Sequence, residues 1–301
     1  MSRTIHVGLD AGIGNRLFKY ASAKGIAAKL GCQFNVLDNR VDHEHHQNTY
    51  EWFLQRISAD ISAHLPDANE CCMIYNQPDS EHVGVKTSLT GLRECEYEHL
   101  FLGGYYQSEA NFAHIKNELR YLLCRESPAI TEALDAHYPN ASSCIAIHVR
   151  IGDYVKAVNV HKHFVNLQVY YERCITALRK ERPGAHFLIV CEDAENIPHV
   201  YPNLLPFIAQ ANTYSIANTL THEMIPHIDP SELDLYLLAR CAGVVCSNST
   251  FAWWGAWIGL NRDSQSHTKV FIPDKWLHGH PHAIEMNGAI MERCDYGTGV
   301  N

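Results

Sequence analysis

The most constraining feature of this sequence is an apolar run that ends in small polar residues and continues as a tryptophan-rich segment. Gly243–Val245 is short, β-branched and bounded by glycine, a pattern that predicts a buried strand. Ser247–Thr250 follows, and residues 251–258 have the apolar content of a buried helix. A turn between a strand and a helix presents backbone N–H groups and the positive end of the helix dipole, which favour an anion. The segment therefore predicts an α/β fold, with either a phosphate site or an ordinary N-cap at this turn.

Strand and helix patterns alternate along the chain. Helical spacing occurs at 14–30, 168–182 and 230–240, and strand-like runs occur at 5–9, 32–37, 144–149, 186–190, 244–246 and 269–272. Asp229 begins a capping box with Pro230 at the first helical position. Residues 41–100 are polar and weakly periodic, so the sequence predicts no order of elements there. The alternation predicts two Rossmann-like domains, which we place at 1–139 and 140–301.

Composition excludes several classes of protein. The net charge of −9 argues against nucleic-acid binding, which usually requires a basic surface. The eleven cysteines are scattered, odd in number and without a CxxC pair, so they do not form a disulfide framework. The sequence shows no membrane-spanning run, and it opens directly on a strand pattern rather than a signal peptide. We therefore expect a cytoplasmic protein that does not insert stably into membranes.

Three loops carry residues suited to a phosphorylated ligand. In the first, Gly12 and Gly14 let the backbone approach a phosphate, and Asn15 supplies a donor at the start of a helix. In the second, Arg150 follows a predicted strand, and its planar guanidinium can bind two phosphate oxygens at once. The third is the turn at Ser247–Thr250. Together the loops predict a site for a phosphate or diphosphate group.

The three loops resemble the signatures of the α-1,2-fucosyltransferase family, which are inverting enzymes that use GDP-fucose. The matching segments read AGIGNRLFKYA at 11–21, HVRIGDY at 148–154 and SNSTFAWW at 247–254. Weaker matches occur in the family's order at 104–109, 170–171, 192–193, 234–237 and 273–276. The resemblance implies a GT-B-like fold in which two Rossmann-like domains face a central cleft. The N-terminal domain would take the acceptor and the C-terminal domain the nucleotide sugar.

The resemblance also implies roles for individual residues. The implied catalytic residues are Arg150, Asp153 and Asn15, with Asn15 approaching the leaving phosphate across the cleft. The implied donor-binding residues are Gly12, Gly14, His148, Asp234, Asn248, Ser249 and Thr250. Of these, His148 and Asp234 match positions associated with guanine recognition in related fucosyltransferases. Asp153 has three interpretations: it steers Arg150, acts as a base, or caps its own turn.

The implied reaction transfers L-fucose from GDP-fucose to the 2-hydroxyl of a galactoside-containing glycan. The sequence has no DxD-type motif, and the resemblance implies a reaction without a metal ion or a further cofactor. Three positions depart from the family pattern: Ala11 replaces a glycine, Arg16 replaces a glutamine, and Ile151 replaces a second arginine. The Ile151 change removes a cation from the expected diphosphate site, and Arg16 is a candidate to restore it from the other domain.

Alternatives remain at the level of the sequence. The chain could transfer another deoxyhexose from another nucleotide sugar, or bind sugar without turnover. Two histidine clusters have spacings compatible with zinc and a hydrolase, although alternating histidines in polar loops are usually solvated. Several aromatic residues suit either sugar stacking or core packing. The histidines are His43, His45, His46, His278, His280 and His282, and the aromatic residues are Trp253, Trp254, Trp257, Tyr105 and Tyr106.

Overall fold

The structure is a computed structural model of the 301-residue chain. It describes residues 3–37, 50–62, 66, 72–78, 83–94, 96–217, 228–262, 269–280 and 282–295. The contacts divide the chain into two compact units, Met1–Leu123 and Cys124–Asn301. Each unit is an α/β layer built on its own parallel sheet.

The first unit contains a five-stranded parallel sheet in the order β3-β2-β1-β5-β4. Its strands are β1 (Thr4–Gly8), β2 (Gln33–Leu37), β3 (Ile61–Ser62), β4 (Cys72–Asn76) and β5 (His99–Gly103). Its helices are α1 (Ile13–Leu30), α2 (Glu51–Arg56), α3 (Thr90–Arg93) and α4 (Lys116–Leu123). Parallel pairing of β1 with both β2 and β5 places the loops that follow β1 and β5 at the same edge of the sheet.

The predicted βαβ unit at the N-terminus is confirmed. The apolar residues Ile5 and Val7 of β1 are buried, and α1 packs against both β1 and β2. Helix α1 ends at Gly31, which has φ 66°, and the N–H of Cys32 then bonds the carbonyl of Ala27 at 3.0 Å. The helix thus ends where the helical spacing predicted over 14–30 ends, and Gly31 turns the chain directly into β2.

The second unit contains a six-stranded parallel sheet in the order β11-β10-β9-β6-β7-β8. Its strands are β6 (Ile145–His148), β7 (Phe187–Val190), β8 (Tyr214–Ala217), β9 (Gly243–Val245), β10 (Lys269–Pro273) and β11 (Ile290–Glu292). Its helices are α5 (Pro128–His137), α6 (Val160–His163), α7 (Gln168–Glu181), α8 (Ile197–Val200), α9 (Leu204–Ala209), α10 (Pro230–Arg240) and α11 (Thr250–Asn261). The strands and helices predicted in this half of the chain are confirmed, apart from shifts of one or two residues at their ends.

Helix α11 is apolar on all sides because it is buried on all sides. It packs against α10 and β10, and Trp253, Trp254 and Trp257 have no exposed surface. The ring of Trp254 contacts those of its two tryptophan neighbours in edge-on geometry, at 5.1 and 5.2 Å between centroids. All three tryptophans therefore form core, and none offers a face to a sugar.

The unit boundary lies after Leu123, whereas the sequence placed a domain boundary near Pro139. Helix α5 accounts for the difference, because it packs against α10 and so belongs to the second unit. The cap of α10 is as expected, with Asp229 Oδ1 accepting from the backbone N–H of Ser231 at 2.8 Å. Among the helices that the structure describes, none combines the length and the apolar content needed to cross a bilayer.

Candidate functional site

Two of the three predicted loops meet at one edge of the second sheet. Strand β6 pairs with β9 on one side and with β7 on the other, and all three run parallel. The loop at 149–154 follows β6, the turn at 246–249 follows β9, and residues 191–193 follow β7. Because carboxyl ends of parallel strands share an edge, the order of strands brings these segments together.

Arg150 is held between two carboxylates at this edge. Its Nη2 donates to Asp153 Oδ1 at 2.5 Å, and its Nη1 donates to Glu192 Oε1. The guanidinium also lies 5.3 Å from the ring centre of Tyr154. Burial by itself lowers the pKa of Arg150, but Glu192 and Asp153 outweigh burial and raise it above its ordinary value. Arg150 is therefore a fixed cation whose side chain is 28% exposed.

The role of Glu192 was not predicted from the sequence. Glu192 belongs to the weak family match at 192–193, to which the sequence attaches no function. It lies two residues after the end of β7, the strand next to β6. That adjacency is the signal that would have paired it with Arg150, and it becomes visible once the strand order is known.

The turn before α11 does not behave as an ordinary N-cap. Ser249 occupies the N-cap position in an extended conformation, but its side chain makes no capping hydrogen bond. Serine at an N-cap usually accepts from an N–H of the first turn, so the first turn here lacks its customary acceptor. Ser249 and Thr250 therefore stand where an anion would find N–H donors and the helix dipole.

Asn248 braces the same turn. Its Nδ2 donates to the carbonyls of His163 and Trp276, at 2.9 and 2.8 Å. Its own carbonyl accepts from the hydroxyl of Tyr154 at 3.2 Å. The Asn248 side chain thus ties the turn to two neighbouring segments, and its role in donor binding stays a prediction.

His148 is a buried neutral imidazole. Its Nδ1 shares a hydrogen bond of 2.8 Å with Ser247 Oγ, its ring lies against Phe251, and it is 7% exposed. Its carbonyl accepts from the hydroxyl of Tyr171 at 3.0 Å. Burial, and secondarily the charge of Arg150, lowers the pKa of His148 to about 3. At neutral pH the ring can therefore donate or accept a hydrogen bond without carrying charge.

We expect His148 to make folding stability depend on pH. The unfolded chain binds a proton at this residue below a pH of about 6.5, whereas the folded chain does not until about pH 3. The free energy of unfolding should therefore fall by about 2 kcal/mol from this residue between pH 7 and pH 5. Denaturant titrations at both pH values measure the free energy of unfolding. In the His148→Asn variant it should change less between the two pH values than in the wild type, by this amount.

The exposed residue His199 offers the matched control for this measurement. A His199→Asn variant should keep the pH dependence of the wild-type chain, because it removes a surface imidazole and leaves the buried His148 ring in place. If the free energy of unfolding of His148→Asn changed with pH as much as that of the wild type, the lowered pKa of the buried ring would be contradicted.

Asp234 has a neighbour that the sequence did not predict. It lies on α10, and its charge together with burial raises the pKa of Tyr138, with burial the larger cause. Tyr138 follows the last residue of α5. Asp234 therefore belongs to the contact region of α5 and α10.

In the first unit, the loop after β1 has its backbone strain at Ala11. Ala11 has φ 72°, a left-handed conformation that favours glycine, and it replaces the glycine of the family signature. Gly12 caps α1 with φ −66°, and a Cβ added there would meet nothing within 4 Å. Neither backbone nor packing therefore requires glycine at position 12, which leaves room for a ligand to approach. Gly14 lies buried in the first turn of α1.

Asn15 is oriented by a residue from the segment that follows β5. Gln107 Nε2 donates to Asn15 Oδ1 at 2.9 Å, and Gln107 is 7% exposed. Gln107 follows β5, which pairs with β1, so the two loops share the carboxyl edge of the first sheet. Gln107 is a second residue whose part in the site the sequence did not predict. Its hydrogen bond orients the side-chain amide of Asn15.

The proposed substitute cation, Arg16, is engaged within its own loop. Its Nε donates to the carbonyl of Ala11 at 2.7 Å, and its guanidinium lies 4.8 Å from the ring centre of Tyr50. Arg16 is 5% exposed, and burial lowers its pKa. These contacts indicate that Arg16 braces the strained loop at Ala11, and they do not support the expectation that it replaces a lost phosphate ligand.

The position of Ile151 also differs from what the sequence led us to expect, which was a place beside the diphosphate site. Its side chain is fully buried in the core cluster of the second unit, together with Val149, Leu167 and Tyr171. A side chain at position 151 thus points into the core, while the side chain at 150 points out of it. In this chain, position 151 therefore contributes to the core and not to the surroundings of Arg150.

The remaining candidates separate into core and surface. Tyr106 is fully buried and donates to the carbonyl of Tyr75 at 3.0 Å, whereas Tyr105 is 37% exposed. His280 and His282 contact each other, with ring centroids 5.7 Å apart. Within the described residues no group of three histidine, cysteine or acidic side chains is placed to hold a metal ion. The cluster at His43–His46 lies outside the described residues.

Comparison with known proteins shows relatives along nearly the whole chain. An O-antigen biosynthesis glycosyltransferase of Escherichia coli, WbnK, is 23% identical over 90% of this chain and 94% of its own length. An alpha-1,2-colitosyltransferase of Escherichia coli is 22% identical over 83% of this chain and 86% of its own length. Both relatives are glycosyltransferases by name.

Comparison of structures supports the fold. The structure of POFUT1 in complex with GDP matches 89% of this chain and 98% of its own, with a TM-score of 0.52 and 12% identity. This similarity, together with the two parallel-sheet units, identifies a GT-B-like fold. The sequence model of glycosyl transferase family 11 matches residues 85–270, a range that includes Arg150, Glu192 and the turn before α11. That range is more than half of the chain, and the chain therefore belongs to glycosyl transferase family 11.

Proposed function

We propose that this glycosyltransferase moves L-fucose from GDP-fucose to the 2-hydroxyl of a galactoside, with inversion at the sugar carbon. The observation that carries the proposal is the shared position of Arg150 and the N-terminus of α11. They follow β6 and β9, which are adjacent strands, at one edge of the second sheet. A fixed cation beside a helix N-terminus that lacks its side-chain cap is suited to a diphosphate.

In the proposed reaction, an acceptor hydroxyl attacks the sugar carbon and the bond to the diphosphate breaks. Negative charge then develops on the leaving phosphate oxygen. Arg150 and the N–H groups at the start of α11 stabilise that charge, and they need little reorganisation because both are already held in place. The proton of the acceptor leaves with a base, which completes the displacement.

The neighbouring residues take supporting roles in this proposal. His148 is neutral at physiological pH, so its ring can hydrogen-bond the guanine of the donor without introducing a charge. Asp153 steers Arg150 rather than acting as a base, because its carboxylate already accepts from the guanidinium. In the first unit, Gly12 and Asn15 are proposed to contact a ligand. The open space at Gly12 and the fixed amide of Asn15 support that role.

The identity of the donor sugar has a specific alternative. One relative is named as a colitosyltransferase that forms an alpha-1,2 linkage, so its name supports transfer of a deoxy sugar to a 2-hydroxyl. At 22% identity, the sugar itself can differ between the two proteins. The second candidate function is therefore transfer of another deoxyhexose, such as colitose, from its GDP form.

A donor panel tests both candidates. The purified chain should release GDP from GDP-fucose when lactose is present, and release should be slow without an acceptor. Product linkage, determined by NMR, should be α-1,2. Release with GDP-colitose in place of GDP-fucose would support the second candidate. Binding of sugars without release from any GDP, UDP or dTDP sugar would contradict the proposal and identify a non-catalytic relative.

The same assay has a metal arm. Because Arg150 and the N-terminus of α11 are proposed to stabilise the negative charge on the leaving group, EDTA should change the rate by less than about twofold. Desalted enzyme without EDTA is the control. A large loss that added Mn²⁺ or Zn²⁺ restores would contradict the metal-independent reaction.

A further inference from the structure

We infer that Glu192 is a positioning residue that holds the guanidinium of Arg150, and that Gly152 is required because it leaves room for the Glu192 carboxylate. The inference rests on the proposed function, in which Arg150 contacts the leaving diphosphate. It concerns how the orientation of that guanidinium is set. None of the three sequence signatures contains Glu192, which lies 42 residues after Arg150.

The first argument is the origin of the two carboxylates. Asp153 belongs to the same loop as Arg150, so it moves with that loop. Glu192 comes from the segment after β7, and β7 is paired with β6 along its whole length. Glu192 therefore holds the guanidinium in place relative to the sheet, while Asp153 holds it relative to its own loop. Two anchors on different Nη atoms fix the plane of the guanidinium, which one anchor does not.

The second argument is the backbone at Gly152. This residue has φ 33°, and a Cβ built on it would lie 2.7 Å from Glu192 Oε1. That oxygen is the atom that accepts from Arg150 Nη1. Any side chain larger than hydrogen at position 152 would push the carboxylate away from Arg150. Gly152 thus serves the contact between Glu192 and Arg150 directly, in addition to allowing the left-handed turn.

The third argument is the local charge. One guanidinium lies among two carboxylates, so Arg150, Asp153 and Glu192 together carry a net negative charge. Excess positive charge therefore does not explain how the edge would hold a diphosphate. Binding of a diphosphate would depend instead on the directions in which the guanidinium N–H groups and the α11 N–H groups point. This separates orientation from charge, because removing the Glu192 charge favours an anion electrostatically while it weakens the hydrogen bond that holds the guanidinium.

The experiment compares two neighbouring acidic residues. Glu192→Gln should lower kcat by about 10- to 100-fold, because misplacing a group that stabilises the transition state is costly. The dissociation constant for GDP, measured by calorimetry, should stay the same or decrease. Asp193→Asn removes the same charge one residue away, where the carboxylate accepts from Asn196 Nδ2 at 2.7 Å. That variant should keep the wild-type kcat and melting temperature.

A second pair of variants tests Gly152. Gly152→Ala should lower kcat to a similar extent, whereas Gly184→Ala should not. Gly184 also has a positive φ, of 78°, but a Cβ there would meet nothing within 4 Å, so it controls for backbone strain alone. In a background of Glu192→Ala, the carboxylate is gone and Gly152→Ala should cause no further loss of kcat. Such non-additivity is the sign of a shared contact.

The outcomes separate the inference from the proposed function. If the wild-type chain turns over no nucleotide sugar, both fail, and this is seen before any variant is made. If the wild type is active and folded Glu192→Gln has the wild-type kcat, the inference alone is wrong. Equal losses in Glu192→Gln and Asp193→Asn would also overturn it, because they would assign the effect to charge. Additive losses for Gly152→Ala and Glu192→Ala would exclude the contact between them.

Discussion

Replacement of Arg150 by lysine is expected to lower kcat by about 10²- to 10³-fold, the usual cost of removing a preorganised donor to a developing oxyanion. The structure supplies the reason. The guanidinium bonds Asp153 and Glu192 through separate nitrogens, and this leaves its plane fixed at the carboxyl edge of the sheet. A lysine ammonium keeps the charge, but it cannot place donors in a plane toward two phosphate oxygens. Steady-state kinetics with saturating donor measure the change.

The same contacts permit a purely structural interpretation, in which Arg150 braces its loop. That interpretation predicts a lower melting temperature and normal turnover in the folded fraction. Arg173→Lys is the matched control, because Arg173 also forms an ion pair in the second unit, with Glu292 at 3.3 Å. Both variants should melt close to the wild-type temperature, and only Arg150→Lys should lose turnover. A folded and fully active Arg150→Lys enzyme would end the assignment of Arg150 to the site.

Replacement of Ile151 by arginine should destabilise the fold by at least about 3 kcal/mol, because it places an unpaired charge in an apolar core. The Ile151 side chain has no exposed surface and lies among the core residues of the second unit. From the sequence, the same change restores the tandem arginine of the family and would be expected to improve donor binding. The structure thus predicts a loss of stability and the sequence a lower donor KM, so unfolding by denaturant together with steady-state kinetics decides between them.

The control for this variant is Ile151→Val, which removes one methylene and should cost about 0.5–1.5 kcal/mol. Its kcat and its KM for the donor should stay at the wild-type values, because the side chain does not face the site. A stable Ile151→Arg variant with a lower donor KM would show that position 151 faces the ligand after all. Such a result would also restore the interpretation of Arg16 as a substitute cation.

Much of the architecture follows from local patterns. The runs that became β6, β7 and β9 are largely apolar because they are buried on both faces of a parallel sheet, and such runs are visible in the sequence. The pattern of residues 41–100 predicts no order of elements for the opposite reason. Strand β4 lies at the edge of its sheet and leaves Ile74 67% exposed, so its pattern carries little information about burial. Periodicity reports burial, and it fails where burial is partial.

The sequence by itself determined the order of the main strands and helices outside residues 41–100, the three loops that follow buried strands, and through them the family. The tertiary structure decided which side chains act together. Glu192 and Gln107 reach Arg150 and Asn15 because parallel pairing places β7 beside β6 and β5 beside β1. Strand order is a long-range property that local spacing does not encode. The directions of neighbouring side chains are set in the same way, and this is why Arg150 points to the site while Ile151, one residue later, points into the core.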